Sequence, residues 1–332
     1  MFIIKAVVIT KNKDLLWSDV LDPVLVDGEV LVEIHAAALN RADLMQRAGD
    51  YPPPPGCPEW PGLEIAGVIK EMSPAAKLES KWKIGDRICA LLGGGGYAEY
   101  VTVHHTMLMP IPKGLSMVEA AALPEAFATA YLNLFIEGGA KSNDVLLMHA
   151  GASGLASVII PMAKAFGIRV ITTVLSADIK KSISHLNADV VIDTSIESIT
   201  ERLKLEAEKG YPVSIAIDCL GSEILGECFP YVAYGCRWIM IATLAGDITE
   251  VNLRTIYMKN IRLIGSTLRS KPQEVKAQIL SSLVKDIWPK VESGAIRPTI
   301  YKTLPITEAE AAHDLLERGQ SVGKVVLVVK ES

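Results

Sequence analysis

The sequence predicts an α/β protein that combines a small antiparallel β domain with a larger domain built on a parallel sheet. Before about residue 115, short β-branched runs such as Val30–Ile34 and Ile65–Ile69 are bounded by turn residues, as strands are. After that point, apolar runs alternate with amphipathic helical stretches, which is typical of βαβ units in a doubly wound parallel sheet. A length of 332 residues also suits two domains.

Composition limits the classes of function. Half of the residues are hydrophobic and 21% are charged, which suits a sizeable core, and the formal net charge of −5 offers no basic surface for nucleic acid. The N-terminus lacks the order of charge, apolar run and cleavage site that defines a signal peptide, and no apolar run is long enough to cross a bilayer. We therefore expect a cytoplasmic protein without nucleic-acid or membrane partners.

The five cysteines are scattered and odd in number, with no C-x2-C pair, so the sequence predicts buried reduced thiols and neither disulfides nor a zinc knuckle. They are Cys57, Cys89, Cys219, Cys228 and Cys236.

The N-terminal part begins with a predicted strand and contains two distinctive loops. Tyr51–Gly56 includes four consecutive prolines, so it can be neither regular helix nor central strand. Lys83–Ile88, the glycines from residue 93 and the run 98–103 predict a strand, a turn and a second strand.

The C-terminal two thirds give a regular alternation of elements. The Ala-rich stretch Met117–Ile136 favours helix apart from Pro124. The predicted strands that follow are Val145–His149, Arg169–Thr173, Val190–Asp193, Val213–Asp218, Arg237–Ala242 and Ile261–Ser266. The predicted helices are Ala156–Phe166, Ile179–Leu186, Ile196–Lys209, Ser222–Tyr231 and Thr307–Glu317, and a terminal strand follows Gly323.

A glycine-rich turn joins the first of these strands to its helix. In this context Gly151 permits a tight turn and Gly154 lets a pyrophosphate approach backbone N–H groups, although the pattern is an incomplete G-x-G-x-x-G. The context of strand, turn and helix predicts a nucleotide site that also includes Ala152, Ser153 and Leu155.

The end of the next strand distinguishes the cofactors. An NAD enzyme carries a carboxylate there for the ribose 2′-hydroxyl, whereas this strand ends at Thr173 and is followed by Ser176, Asp178, Lys180 and Lys181. Asp178 would repel a phosphate if its side chain pointed inward. A hydroxyl with ammonium groups nearby suits a 2′-phosphate, which favours NADPH. The alternative is that both lysines belong to a solvated helix face.

Seven segments together carry a family resemblance. They are Asn40–Arg47, Tyr51–Gly56, Pro61–Gly67, Trp82–Asp86, Gly94–Val101, Pro124–Ala130 and Gly265–Ser270. With them the chain resembles the quinone oxidoreductases related to zeta-crystallin, within the medium-chain dehydrogenase/reductase superfamily. The resemblance implies a GroES-like domain for the substrate over residues 1–120, completed by 270–332, a Rossmann NADPH-binding domain over residues 121–269, and a cleft between them.

Metal binding is not expected. The alcohol dehydrogenases of this superfamily hold a catalytic zinc through a Cys, a Gly-His-Glu motif and a further Cys. Leu63 stands at the histidine position, Asn40 stands where the first cysteine is expected, and the lobe with four closely spaced cysteines is missing. Since leucine cannot coordinate zinc, we predict none.

The resemblance also implies roles for individual residues. Asn40 and Tyr51 would line the substrate side and hydrogen-bond a quinone oxygen, and Thr129 would lie near the nicotinamide. The alternatives are a strand-end cap for Asn40 and a surface aromatic for Tyr51. The remaining cofactor residues would be Ala242, Thr243, Ser266, Thr267, Leu268 and Lys324.

The resemblance further implies a homodimer formed by pairing edge strands, with Ile261–Ser266 or Asp247–Val251 as the edge. The predicted activity is zinc-independent, NADPH-dependent reduction of quinones. Two alternatives stay open: reduction of 2-alkenals or enones on the same scaffold, and a crystallin-like or RNA-binding role without catalysis. The first is open because fold does not fix substrate.

Overall fold

The computed structural model describes residues 3–319 and 321–330. Its strands are β1 (Ile3–Ile9), β2 (Leu15–Leu21), β3 (Glu29–Ala38), β4 (Glu64–Met72), β5 (Arg87–Leu91), β6 (Tyr100–His104), β7 (Leu108–Pro110), β8 (Val145–Met148), β9 (Arg169–Val174), β10 (Val190–Asp193), β11 (Val213–Asp218), β12 (Val232–Met240), β13 (Arg262–Gly265), β14 (Ile300–Pro305) and β15 (Lys324–Val328).

Its α-helices are α1 (Arg41–Ala48), α2 (Pro74–Glu79), α3 (Met117–Ala121), α4 (Pro124–Tyr131), α5 (Ala156–Ala165), α6 (Ala177–Ser182), α7 (Ile199–Glu208), α8 (Ser222–Cys228), α9 (Leu253–Lys259), α10 (Gln273–Glu292) and α11 (Ala309–Glu317). A π-helical segment, Leu132–Glu137, directly follows α4. Among the described residues, no helix is both long enough and apolar enough to cross a membrane.

The chain forms two units. Unit 1 comprises Met1–Ala128, Arg269–Gly294 and Pro298–Ser332, and unit 2 comprises Thr129–Leu268 with Ala295–Arg297. The C-terminal segments therefore belong with the N-terminal β structure, and the boundary between the units falls inside α4.

Unit 1 is built on a seven-stranded sheet. Its strands lie in the order β14-β15-β3-β4-β5-β7, with β6 paired to β3, and all neighbours are antiparallel except β14 and β15. The long strand β3 alternates inward and outward residues along much of its length, and its buried positions include Val32 and Ile34. Strands β1 and β2 form a separate antiparallel pair.

Unit 2 contains a six-stranded, fully parallel sheet in the order β10-β9-β8-β11-β12-β13. Strand β8 is buried along its whole length, as a central strand covered on both faces must be. The core on one side of the sheet gathers Leu147, Ile171, Phe229 and Trp238. Together with the sheet of unit 1, this arrangement confirms the predicted fold class.

Several sequence predictions need correction at their ends. The predicted helix Met117–Ile136 is three pieces, because Pro124 lacks an N–H and starts a new helix, and the chain then widens into the π-helical segment. Strand β12 begins five residues earlier than predicted. The second candidate edge, residues 247–251, contains no strand.

All five cysteines are free, and four of them are buried, as predicted; Cys57 is half-buried.

Candidate functional site

The turn between β8 and α5 lies at the centre of the parallel sheet of unit 2. Strand order reverses here, because β9 and β10 follow β8 to one side while β11, β12 and β13 extend to the other. In open α/β sheets, ligands bind beyond the carboxyl ends of the strands at this switch point. The sheet therefore marks residues 149–155 as the candidate nucleotide site.

Gly151 brings this turn against strand β9. Its amide donates to the Thr173 carbonyl over 2.8 Å. A Cβ atom at position 151 would lie 2.5 Å from Thr172 Oγ1 and 3.1 Å from Ile183 Cδ1. Because that space is filled, only glycine allows the turn to pack so closely on the neighbouring strand.

The rest of the turn presents backbone donors. The Ser153 amide is used within the turn, since it donates to the Ala150 carbonyl over 2.8 Å. Within residues 3–319 and 321–330, the amides of Ala152, Gly154 and Leu155 have no hydrogen-bond partner. Free amides at the start of a helix are the donor set that a pyrophosphate needs, so the turn fits a dinucleotide.

The end of β9 carries the residues predicted to select the cofactor. Thr173 is buried, and its hydroxyl is within reach of the Ala150 amide and the His149 ring. Ser176 caps α6 by accepting the Ile179 amide hydrogen. No carboxylate lies between Thr173 and Ser176 in the sequence, so the strand end offers no acceptor of the kind that binds the 2′-hydroxyl of NAD.

The two lysines of α6 differ. The Lys180 ammonium lies 3.3 Å from Glu197 Oε1 and is partly neutralised by it. Lys181 is exposed, and within the described ranges no carboxylate lies within ion-pair distance of it. Lys181 is therefore the more available cation for an anionic ligand.

The remaining predicted cofactor residues follow β12 and β13. Ala242 and Thr243 stand two and three residues after β12, and Ser266, Thr267 and Leu268 directly follow β13. The Ser266 hydroxyl is buried and has no partner in the described part of the chain. A buried polar atom of this kind can be satisfied by a bound ligand.

His149, directly after β8, and Asp218, the last residue of β11, are both buried polar residues. His149 Nδ1 lies 3.2 Å from Thr173 Oγ1, whereas its Nε2 has no partner among the described residues. Burial lowers the pKa of His149, with Asp218 acting in the opposite direction, so the ring is neutral at pH 7. Asp218 accepts from Trp238 Nε1 over 2.9 Å and from the Leu220 amide over 2.7 Å. Its only sequence signal is its place at the carboxyl end of β11.

In unit 1, Asn40 is held in a buried polar cluster. Its Nδ2 group donates to Glu64 Oε1 over 3.0 Å and to the Ala38 carbonyl over 3.4 Å. Lys324 Nζ donates to Asn40 Oδ1 and also contacts Glu64 Oε1, both at 2.7 Å, and it bonds the Leu39 carbonyl as well. Asn40 and Lys324, predicted separately for substrate and cofactor, thus lie side by side.

This cluster bears on both predicted roles. The two N–H donors of Asn40 face Glu64 and Ala38, so donation to a substrate oxygen would require the amide to leave one of them. The three N–H donors of Lys324 are all engaged within unit 1. Both roles stay predictions.

The donor set does not fit zinc. Leu63, at the expected histidine position, is buried and offers only hydrocarbon. The Lys324 ammonium already lies against Glu64 and Asn40, and a second cation there would meet a buried positive charge. Within the described ranges, no group of three or more His, Cys, Asp or Glu side chains is placed to hold a metal ion.

Behind Asn40 lies a second buried carboxylate that the sequence did not single out. Asp43 Oδ2 accepts from the Asn40 amide over 2.7 Å and from the Tyr97 hydroxyl over 3.2 Å, and its Oδ1 accepts from the Gly62 amide over 3.0 Å. Burial raises the pKa of Asp43 from 3.8 to about 6, although these donors and Lys324 oppose the shift. Asp43 thus ties helix α1 to the loop that carries Leu63.

Tyr51 is half-buried at the start of the proline loop. The Arg269 guanidinium carbon lies 4.8 Å from the centre of its ring, and Arg269 Nη1 donates to the Tyr51 carbonyl over 3.2 Å. Burial raises the pKa of the Tyr51 phenol above its ordinary value of 10; Arg269 lowers it and Glu125 raises it further. The phenol is therefore protonated at neutral pH and can donate a hydrogen bond. Arg269 lies in the family-like segment Gly265–Ser270, but nothing in its spacing indicated this contact.

Thr129 lies in the last turns of α4, within unit 2. Its carbonyl accepts from Asn133 Nδ2 over 2.8 Å, where the chain passes into the π-helical segment. Widened turns of this type occur often at functional sites. This observation agrees with a role for Thr129, and that role stays a prediction.

Comparison with known families agrees with this architecture. The alcohol dehydrogenase GroES-like domain matches residues 26–113, and the zinc-binding dehydrogenase domain matches residues 154–285. The chain belongs to the medium-chain dehydrogenase/reductase superfamily, whose oxidoreductases bind nicotinamide cofactors, as the sequence predicted.

Within that superfamily, the chain is similar to quinone oxidoreductases. It is 29% identical to the quinone oxidoreductase of Mus musculus over 317 residues, which are 95% of this chain and 93% of the mouse protein. The quinone oxidoreductase of Thermus thermophilus, whose structures include a complex with NADPH, superposes with a TM-score of 0.82 at 27% identity, over 98% of this chain and all of that one. An NAD-dependent alcohol dehydrogenase structure is equally similar, with a TM-score of 0.82 and 27% identity, covering 98% of this chain and 99% of that one.

Proposed function

We propose that this chain is an NADPH-dependent quinone oxidoreductase that works without zinc. The observation that carries the proposal is the set of free backbone amides on Ala152, Gly154 and Leu155 at the switch point of the sheet, within the described part of the chain. These donors suit the pyrophosphate of a dinucleotide. The proposed cofactor residues of unit 2 lie at or after the carboxyl ends of strands in the same sheet, and among the described residues the Ser266 hydroxyl has no partner.

The preference for NADPH rests on the end of β9. A carboxylate that binds the 2′-hydroxyl of NAD is absent from residues 173–177, and Ser176 and Lys181 offer a hydroxyl and an ammonium group instead. These groups would form charge-assisted hydrogen bonds to a 2′-phosphate. Similarity to an NAD-dependent alcohol dehydrogenase makes the cofactor the first point to measure.

For the chemistry, bound NADPH supplies the hydride, and the chain supplies position and polarity. Tyr51 offers an aromatic face and a protonated hydroxyl for a quinone carbonyl. Asn40 is fixed by its contacts with Glu64 and Lys324. Since the donor set does not fit zinc, activation of the carbonyl falls to hydrogen bonds.

We also propose a homodimer that pairs the β13 edges of two chains. Strand β13 is the last strand of the parallel sheet, and Leu263 on it is 52% exposed. Helix α9, beside it in sequence, has no buried residue and exposes Tyr257 and Met258. An unpaired strand edge next to exposed apolar side chains is a typical interface.

The five free thiols, four of them buried, suit a reducing compartment, and we propose the cytoplasm as the location of the chain.

The direct test follows oxidation of NADPH and of NADH by the purified chain with a panel of acceptors, with and without a chelator. The panel contains phenanthrenequinone and a naphthoquinone beside a conjugated enal and an enone. We expect quinone turnover with NADPH that survives the chelator. Faster turnover of the enal would favour the 2-alkenal reductase, and no turnover of any acceptor would contradict the proposed function.

A further inference from the structure

Arg269 is a buried cation with an unusual set of partners. It is 7% exposed, and among the described residues it forms no ion pair with a carboxylate. Its guanidinium group donates to the Gly93 carbonyl over 2.9 and 2.6 Å, to the Tyr51 carbonyl over 3.2 Å and to Gln46 Oε1 over 2.8 Å. Burying a charge without a counter-ion is costly, and here four hydrogen bonds to three oxygen acceptors offset part of that cost.

The contacts of Arg269 join three segments of unit 1. Gln46 lies on α1, Tyr51 opens the proline loop, and Gly93 opens the glycine turn. The glycine turn packs tightly on the proline loop, since a Cβ atom at Gly93 would lie 2.5 Å from Cys57 Sγ. Arg269 thus fixes the loop that carries Tyr51 at both its backbone and its ring.

The geometry at Tyr51 leaves one part of the side chain free. The guanidinium group covers one face of the ring at 4.8 Å. The Tyr51 hydroxyl has no hydrogen-bond partner in the part of the chain described. The hydroxyl therefore remains available to donate a hydrogen bond to another molecule.

We propose that Arg269 is a positioning residue for Tyr51. It holds the ring so that the hydroxyl donates to the substrate carbonyl, and its positive charge strengthens that donor as negative charge builds on the oxygen. The inference rests on the proposed function, because it takes the quinone carbonyl as the acceptor. The charged groups that act on the phenol are Arg269 and Glu125. Because Arg269 is buried, little water screens its positive charge, and the charge acts strongly on the Tyr51 hydroxyl.

A double-mutant cycle separates this role from a purely structural one. Arg269→Lys keeps the charge but loses the planar fork that spans Gly93, Tyr51 and Gln46. We expect it to lower kcat for a quinone about tenfold and to leave the KM for NADPH unchanged within about twofold. In a Tyr51→Phe background, the same substitution should change kcat by less than about twofold, because the donor it orients is already gone.

Arg47→Lys is the matched control. Arg47 also lies in unit 1 and bonds a backbone carbonyl, that of Lys13, as well as Glu310, but it does not contact Tyr51. Its substitution should have the same small effect on kcat in both backgrounds. An equal loss for Arg269→Lys with and without the Tyr51 hydroxyl would overturn the proposal, as would no loss in the wild-type background.

Two further measurements keep the proposal open to refutation if Arg269→Lys does not fold. Arg269→Gln retains a planar donor and should show the same dependence on Tyr51. In the unsubstituted chain, the Arg269 guanidinium resonances should carry an upfield ring-current shift that disappears in Tyr51→Leu, and its absence would overturn the contact. Wild-type protein without quinone turnover would instead reject the proposed function, while the ring-current measurement would still report on the contact.

Discussion

The Lys324 ammonium lies 2.7 Å from the Glu64 carboxylate, and their side chains are 4% and 0% exposed. Glu64 also accepts the Asn40 side chain on Oε1 and the Glu125 amide on Oε2, the latter over 2.9 Å. The two charges are thus fully paired within unit 1.

Breaking the pair should destabilise unit 1 strongly. Glu64→Gln or Lys324→Met leaves one buried charge unpaired, which costs about 3–5 kcal/mol of unfolding free energy. The double variant Glu64→Gln/Lys324→Met should be more stable than either single variant, because no unpaired charge remains. Urea unfolding measures these differences. Lys164→Met, in the partly exposed pair of Lys164 with Asp189, is the control and should cost less than about 1 kcal/mol. Additive losses in the double variant would contradict this account.

Asp43 should make stability depend on pH. Its folded pKa of about 6 lies above the ordinary 3.8, so its stabilising contribution is complete below pH 3.8 and is lost as the pH rises through 6. Asp43→Asn removes this titration. Relative to wild type, its unfolding free energy should therefore improve between about pH 4 and pH 7 by on the order of 2–3 kcal/mol. Thermal or urea unfolding at both pH values checks this, with the exposed Asp178→Asn as control. A difference independent of pH would show that the buried carboxyl does not titrate as described.

The parts of the fold that sequence could predict are those governed by local pattern. Strands β10 and β11 match their predicted ends, because a strand buried on both faces is a short apolar run between polar residues. Helix α10 was not predicted as a helix. Its residues were predicted only to belong to the segment that completes the first domain. Strand β2 was also missed, because its pattern of exposure mixes buried and exposed residues irregularly.

The site was predictable where residues are close in sequence and not where they meet through folding. The turn around Gly151 carries its own signal within a few consecutive residues. The contact of Glu64 with Lys324 joins residues 260 positions apart, and that of Tyr51 with Arg269 joins residues 218 apart. No periodicity relates such positions, so the buried ion pair and the cation on the tyrosine ring emerge only from the tertiary structure.

The lysines of α6 should differ in their effect on the cofactor. Lys181→Ala should raise the Kd for NADPH about tenfold, equivalent to about 1.4 kcal/mol, and leave the Kd for NADH unchanged. Lys180→Ala should have a smaller effect, because Glu197 already pairs with that ammonium group. Fluorescence titration of both cofactors checks this. In the wild type NADPH should bind more tightly; equal or tighter binding of NADH would contradict the proposed preference.

The proposed dimer should depend on the exposed edge of β13. Light scattering on the wild type should report about twice the chain mass of 35.8 kDa at micromolar concentration. Leu263→Asp places a charge on the paired edge and should give a monomer. Leu78→Asp is the control, since Leu78 on α2 in unit 1 is 87% exposed and lies outside β13. A wild-type monomer would reject the dimer, and a dimeric Leu263→Asp variant would reject this edge.

The last prediction concerns Tyr51 itself. The proline loop leaves the ring few conformations, and Arg269 fixes it further, so ordering it for a substrate costs little entropy. The phenol is protonated at neutral pH, and its hydrogen bond to a quinone carbonyl should strengthen as negative charge builds on that oxygen.

Tyr51→Phe keeps the ring face and the contact with Arg269 but removes the donor. We expect kcat/KM for a quinone to fall about tenfold, equivalent to about 1.4 kcal/mol of transition-state stabilisation, with the affinity for NADPH nearly unchanged. Tyr51→Ala should lose more, because the ring face disappears as well and the Arg269 guanidinium loses its cover. Steady-state kinetics with a quinone, alongside cofactor titration, measure both effects. If both variants match the wild type, Tyr51 is a surface aromatic stacked on prolines, and the substrate is held by other residues of unit 1.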